Sequence, residues 1–600
     1  MNFLKTITIL IIILTASQIN AQELRSAHAE QQEYYSRYAF DSEKAWNALK
    51  TYTPGQSRIY TSQNKELLKI TYGWYPYWMG TAYYDFDYSL LSDVAYFSYE
   101  VNAQTGEPDT THYWKTTNIV NEAHAAGSRV HLTATLFSDH ETFFSNPETQ
   151  NTFIDSIVSL VAYREADGIN IDFEMVPSSV KEELTALMHN LSVALKAYRP
   201  DAQLSIALPA VDWSNSFDVA AMLDATDYFI IMGYEYHWSG SAYAGPGAPK
   251  NNGGIWSAID LTRSVNKYLE KGIPKEQLVL GLPYYGRDWP VVADVVPAQT
   301  EGSGLPKIYS AIRNEFSGYE KLWDEHASVS YYSYTKDAQN RQCWFNDTAS
   351  LALIYDMIKM KEIAGMGIWA LGYDGDYPDL RELLEEKFTH EANIRPTGTF
   401  SDMGGPQGDY YNNENWQFAI NPPEGDSIFL TIDYIDIEAG YDTLFIYGSS
   451  PDEEHLLAEL SGSEHPDIIK TAGSQMHFHF KSDGATSGKG WLMHWSMDEP
   501  ATSEISELKQ KNKLTVYPNP FKNRLSIDIE SEKNEQITVK LTDIRGRSVF
   551  QSKEQLKPGK NQINLSFLKF SLPSGYYVLT VLSKQNVIEE RSVKICKCTD

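Results

Sequence analysis

The chain has 600 residues, 42% of them hydrophobic, which is ample for folded cores and, at about 150 residues per domain, suggests three or four domains. Its formal charge of −29 argues against nucleic acid or an anionic membrane as partner and is compatible with a neutral polysaccharide. Three cysteines, Cys343, Cys596 and Cys598, are too few for a disulfide framework, and the Cys-Lys-Cys pair near the end has no partnering ligands around it.

Met1 to Ala21 carries Lys5, an apolar run from Ile7 to Ala16 and the ending Ile-Asn-Ala, the pattern of a secretory signal peptide. No other stretch approaches the roughly 20 apolar residues of a transmembrane helix. Residues 22–68 are polar, with helical patterning around Glu30–Tyr38 and Ser42–Leu49, and are expected to pack as a leader on the domain that follows.

From Lys69 onward, apolar runs of strand length alternate with helix-length segments. Lys69–Trp78 (with Trp74), Val94–Tyr99, Arg129–Thr135, Leu204–Leu208, Asp227–Tyr236, Gln277–Arg287 and Gly365–Tyr373 read as strands. Asn118–Ala126, Ser179–Tyr198 and Leu351–Ile363 read as helices. The remaining strand is Asp167-Gly-Ile-Asn-Ile-Asp-Phe-Glu174, in which Ile169, Ile171 and Phe173 alternate with Asn170, Asp172 and Glu174. Crowding two carboxylates on one strand face raises the pKa of one of them, which is what a general acid near neutral pH requires. A solvated edge strand is the plainer reading of the same alternation.

Asp-Gly-x-Asp-x-Asp-x-Glu is the signature of glycoside hydrolase family 18, the chitinase family, and this octapeptide resembles it with Asn170 in place of the usual Asp. The resemblance implies a (β/α)₈ TIM barrel over 69–394, with a small α+β insertion at about 289–347 holding the alternating Ser328–Tyr334. It implies Glu174 as proton donor and Asp172 as its partner, orienting the substrate's acetamido nitrogen. It implies further that Tyr234 donates a hydrogen bond to the attacking acetamido carbonyl and that Trp369 floors the distorted sugar. Asn170 is expected to hydrogen-bond Asp172. Glu235 stands where the family has Asp, and with Tyr285, Arg287 and Trp74 it is expected to bind substrate. The implied chemistry needs no cofactor.

Past the barrel, residues 396–496 carry short alternating runs between turn residues, the pattern of an antiparallel β-sandwich. Gly398-Thr-Phe-Ser-Asp, Tyr411-Asn-Asn-Glu-Asn-Trp416, Gly440–Tyr447 and Phe480-Lys-Ser-Asp-Gly484 together resemble a CUB domain without its cysteines. The resemblance implies a Ca²⁺ site at Glu438, Asp442 and Asp483; the plainer reading is that both aspartates sit in turns. After a polar linker at 497–512, residues 513–600 open on Lys513–Phe521 with its Tyr-Pro-Asn-Pro and contain Ser574-Gly-Tyr-Tyr-Val578. They resemble the small immunoglobulin-like sorting domain of type IX secretion in Bacteroidetes. The implied destination is the medium or the outer-membrane surface, with the type IX machinery as partner.

The function so implied is hydrolysis of β-1,4 bonds beside N-acetylglucosamine with retention of configuration, most simply by an endo-acting chitinase. Peptidoglycan and the chitobiose core of N-glycans are alternative substrates. A non-catalytic glycan-binding lectin is the alternative from another class, against which the intact Glu174 and Tyr234 weigh.

Overall fold

The structure, a computed structural model, describes residues 26–50, 66–389 except 257, 397–497 except 406–407 and 422–426, and 515–597 with breaks at 518–520, 532–533, 544–547, 568–574 and 584–589. The signal-peptide reading of residues 1–21 lies outside the described residues. The chain divides into two compact units, one reaching Asp498 and the other running from Glu499 to Asp600.

Eight parallel strands close a barrel in the first unit: β1 (Ile70–Pro76), β2 (Asp93–Val101), β3 (Arg129–Leu136), β4 (Gly168–Phe173), β5 (Gln203–Pro209), β6 (Tyr228–Met232), β7 (Leu278–Pro283) and β8 (Gly365–Trp369). Each pairs with its neighbours in chain order, and β8 returns to β1 with Ile70 opposite Gly365. Every residue of β4 is buried, so its alternation separates two interiors rather than core from solvent. Phe173 points outward onto the helix layer, packing edge-on against Phe143 and against Phe153. Asn170 and Asp172 point into the barrel.

The expected insertion follows β7 directly. Strand seven ends at Pro283, and Tyr285–Val291 is already a strand of a five-stranded antiparallel sheet with Leu305–Ile308, Gln339–Phe345, Val329–Lys336 and Leu322–Asp324. Tyr285 and Arg287 therefore reach the barrel mouth from this sheet, not from a continuation of the barrel strand expected over Gln277–Arg287.

Residues 397–497 form two four-stranded antiparallel sheets, with Trp416, Leu430, Leu444, Phe480 and Trp491 buried between them. Their core is continuous with that of the barrel. The second unit has a three-stranded and a four-stranded antiparallel sheet around its own core of Leu525, Ile527, Val539, Leu541 and Leu579. Cys596 lies on its last strand, Glu590–Lys597; Cys343 is free and buried. No helix among the described residues is long and apolar enough to cross a membrane.

Candidate active site

Asn170, Asp172 and Glu174 climb in that order toward the C-terminal mouth of the barrel. Trp74 on β1 donates its indole N–H to Asn170 Oδ1 at 2.9 Å, and Asn170 Nδ2 donates to Ser205 Oγ on β5, also at 2.9 Å. Both ends of the Asn170 amide are thus engaged with other strands, where the sequence suggested a bond to Asp172. Asp172 is fully buried, and its Oδ1 has no hydrogen-bond partner. Trp74 itself is fully buried.

Glu174 is 5% exposed, and burial together with the charge of Asp172 raises its carboxyl above the ordinary carboxylate range. Tyr234 follows β6, buried and with its phenol held well above its usual pKa by burial and the nearby carboxylates. Trp369, the last residue of β8, is fully buried across the site.

Glu235, the residue after Tyr234, lies in the left-handed backbone region at φ 63°. It accepts from Tyr285 OH at 2.5 Å and from Arg287 Nη2 at 2.8 Å. Burial raises the Glu235 carboxyl, and the Arg287 charge and the Tyr285 bond oppose that rise. Glu235, Tyr285 and Arg287 are therefore one hydrogen-bonded group.

Sequence reasoning missed the residues that occupy this centre. Helix α1 (Ala27–Tyr35) lies in the barrel mouth. Ser26, its N-cap, accepts from Ala29 N–H and donates to Glu174 Oε1 at 2.8 Å. His28 is fully buried: Nδ1 lies 2.7 Å from Asp172 Oδ2 and 3.2 Å from Glu174 Oε1, and Nε2 lies 2.7 Å from Tyr234 OH. Burial by itself would lower the imidazole pKa, but the Asp172 and Glu174 carboxylates outweigh it and raise it to about 9. Glu30 pairs with Arg287 Nη2 at 2.7 Å, and Gln31 Oε1 accepts from Trp369 Nε1 at 3.3 Å and from Tyr373 OH. A cleft of about 660 Å³ remains beside α1, lined by Ser26, Gln32, Glu100, Phe137, Glu174 and Met175.

Against this geometry, three family models match the chain in succession. Glycosyl hydrolases family 18 matches residues 70–374, just over half of the chain. The chain belongs to glycosyl hydrolase family 18. The CUB domain model matches residues 390–495 of this family-18 protein, and the secretion system C-terminal sorting domain matches 515–595, which implies export and cell-surface attachment. Mouse chitotriosidase-1 is 27% identical over 286 residues, 42% of this chain and 60% of that protein. Human di-N-acetylchitobiase is 26% identical over 284 residues, 42% of this chain and 70% of the relative. The cortical fragment-lytic enzyme of Bacillus anthracis is 24% identical over 322 residues, 50% of this chain and 69% of that one. The family-18 chain thus spans only 60% of the length of the chitotriosidase it matches. Among solved structures, a family-18 chitinase from Cycas revoluta is 19% identical, with a TM-score of 0.48 over 53% of this chain and 99% of that one.

In the CUB domain, Glu438, Asp442 and Asp483 converge, with one oxygen from each within 4.8 Å of the others. Asp442 Oδ1 accepts from Asp483 N–H at 2.8 Å, and Oδ2 accepts from Tyr410 OH. Glu438 Oε2 is buried without a hydrogen-bond partner. An orphaned carboxylate oxygen beside two more carboxylates fits a hard cation.

Proposed function

We propose that this family-18 protein is a secreted retaining hydrolase of β-1,4 bonds next to N-acetylglucosamine. The observation that carries the reading is the spacing of the groups around His28. One five-membered ring lies 2.7 Å from both Asp172 and Tyr234, 3.2 Å from Glu174, and 3.6 Å, centroid to centroid, from Trp369. A reaction in which the substrate closes its own five-membered ring needs those four groups at such a spacing.

In this reading the 2-acetamido carbonyl oxygen attacks the anomeric carbon as the glycosidic C–O bond breaks, the exception to the two-carboxylate scheme. Glu174 gives its proton to the leaving oxygen, a role favoured by burial and the Asp172 charge, which raise its carboxyl. Asp172 accepts from the acetamido N–H as positive charge develops, and Tyr234 donates to the carbonyl oxygen. Trp369 packs under the sugar. The resulting Glu174 carboxylate then takes a proton from water as that water attacks the anomeric carbon, reopening the ring with retained configuration.

Chitin is the leading substrate, supported by the similarity to a chitotriosidase and a di-N-acetylchitobiase. Peptidoglycan and the chitobiose core of N-glycans are the alternative substrates. Chitin oligomers, peptidoglycan and a high-mannose glycoprotein, assayed in parallel, decide between them. Failure to release product from all three would end the hydrolase reading. We propose also that Glu438, Asp442 and Asp483 hold Ca²⁺ in the CUB domain. The export reading is refined to a signal peptide at 1–21 and type IX export through the C-terminal domain.

A further inference from the structure

The catalytic centre described above already has a ligand, supplied by the chain itself. We infer that residues 26–50 are a tethered competitive inhibitor of the catalytic cleft, with α1 occupying the place of the reacting sugar. This inference rests on the hydrolase reading of that site.

The contacts are of two kinds, tip and anchor. The tip copies the N–H, the charge and the flat ring of the proposed intermediate. In the imidazolium form, His28 presents one N–H to Asp172, as an acetamido N–H would, and its other N–H donates to Tyr234 OH, the reverse of the bond this phenol would make to the acetamido carbonyl. Its ring lies on Trp369 at an interplanar angle of 32°. The intermediate of substrate-assisted cleavage is also a five-membered cation, so an electrostatic surface made for one suits the other. Ser26 takes the Glu174 oxygen that a leaving group would need, and Glu30 takes the free side of Arg287. The N-terminal end of α1 also faces two carboxylates, the favourable sense for a helix dipole.

The anchor holds the tip in register. Tyr35 stacks on Trp78 at 4.8 Å, and Trp46, 2% exposed, donates to Tyr113 OH at 3.0 Å. Asn47 exchanges hydrogen bonds with Thr81 at 2.8 and 3.1 Å, and Lys50 donates to Trp78 O at 2.6 Å. An element so anchored acts at an effective concentration of about millimolar or more, so even a weak isolated peptide would fill the site. Substrate and α1 cannot share Asp172, Tyr234 and Trp369. The cleft beside α1 stays open, leaving room for part of a glycan while the reacting position is blocked.

The test uses the full chain, His28→Ala and, at the rim, Glu30→Gln. Because α1 competes with substrate, the variants should lower KM for a short chromogenic N-acetylglucosamine oligomer, with kcat nearly unchanged. For His28→Ala the drop should be about tenfold or more, as expected for a buried hydrogen-bonded charge. A synthetic peptide of residues 26–50 should inhibit His28→Ala competitively. Hydrogen exchange gives a readout independent of turnover: a thiazoline analogue of the cyclised intermediate should strip protection from the α1 amides. Unchanged KM in both variants, or thiazoline binding with α1 still protected, overturns the inference. If α1 opens and the variant binds thiazoline yet hydrolyses nothing, the occlusion stands and the hydrolase reading falls.

Discussion

The imidazole of His28 lies 3.6 Å from the indole of Trp369, ring centroid to ring centroid, at the floor of a site whose other walls are carboxylates and a phenol. The indole supplies an apolar face and Asp172 a charge, and His28 satisfies both with one ring. A neutral side chain there would leave Asp172 buried beside Glu174 with no counter-charge, a costly arrangement. Emptying the site therefore requires something that brings its own N–H and its own positive charge. In the proposed mechanism the cyclised intermediate meets that requirement and a plain sugar does not.

Glu174→Gln should lower turnover by about 10²–10⁴-fold, the usual cost of losing a general acid. The amide can still accept from Ser26 and keeps the volume of the buried side chain, so the melting temperature should move little. Retention of more than half the wild-type rate on a chitin oligomer would remove Glu174 from the acid role.

The occlusion should weaken at alkaline pH. His28 rises from 6.5 when free to about 9 when buried against Asp172 and Glu174, with Tyr234 the remaining titratable group facing it. A raised pKa means that the stabilisation is fully present below about 6.5 and is lost as pH climbs through about 9, a span of roughly 3 kcal/mol at most. The ratio of kcat/KM between His28→Ala and the parent chain should be flat below about pH 6.5 and fall toward one above about pH 9. A ratio independent of pH would show that the contact does not depend on the imidazolium.

Much of the barrel was legible because its strands obey two periodicities at once. The run from Gly168 to Glu174 carried both the strand and the side chains it turns inward, since outward Phe173 and inward Asp172 must alternate. The boundary after β7 was not legible: Tyr285 and Arg287 continue the alternation of Leu278–Pro283 without a break, although a new sheet has begun. Helix α1 was the larger omission. Its buried residues are Ala27, His28 and Gln31, so it shows no apolar face, and a polar face is read as solvent-facing unless its partner is known to be polar. The partner is the polar cluster of Asp172, Glu174 and Tyr234, and only tertiary structure brings the two together. Asn170 likewise looked like a neighbour of Asp172 along the strand, while the closure of the barrel offers it Trp74 and Ser205.

Substrate-assisted chemistry makes a demand on the ligand. Oligomers lacking the 2-acetamido group offer no internal nucleophile and no N–H for Asp172, and cellulose oligomers should not be cut. A thiazoline analogue should inhibit competitively and more tightly than substrate, as mimics of the reacting state do. It should inhibit His28→Ala more strongly than the parent chain, because it need not displace the imidazole. Glucose release from cellulose oligomers would contradict the mechanism.

Calcium should stabilise the CUB domain. A ligand at about 100 times its Kd adds roughly 2.7 kcal/mol to the state that binds it, enough to raise the melting temperature measurably. Asp442 supplies both oxygens to the cluster's internal bonds, and Asp442→Asn should cost stability and also abolish the response to Ca²⁺. Glu438→Gln is the cleaner variant, because Glu438 Oε2 has no partner to lose. An identical melting temperature with excess Ca²⁺ and with chelator would remove the metal from this cluster.

Asn170→Asp should shift the pH–rate profile without creating or destroying activity. The new carboxylate could still accept from Trp74 Nε1, and the Ser205 hydroxyl could turn to donate, so its hydrogen bonds survive in number. It would add a titrating group to Asp172 and Glu174 in a fully buried strand. Like charges so placed raise one another's pKa, so Glu174 should hold its proton to higher pH and the basic limb of kcat/KM should move upward. The same crowding should lower the melting temperature at neutral pH relative to acid, where the added group is protonated. Measured on the His28→Ala background, where the imidazolium no longer offsets these charges, the shift should be larger than in the parent chain. A profile superimposable on the parent's would mean that the charge at position 170 is not felt by the acid pair.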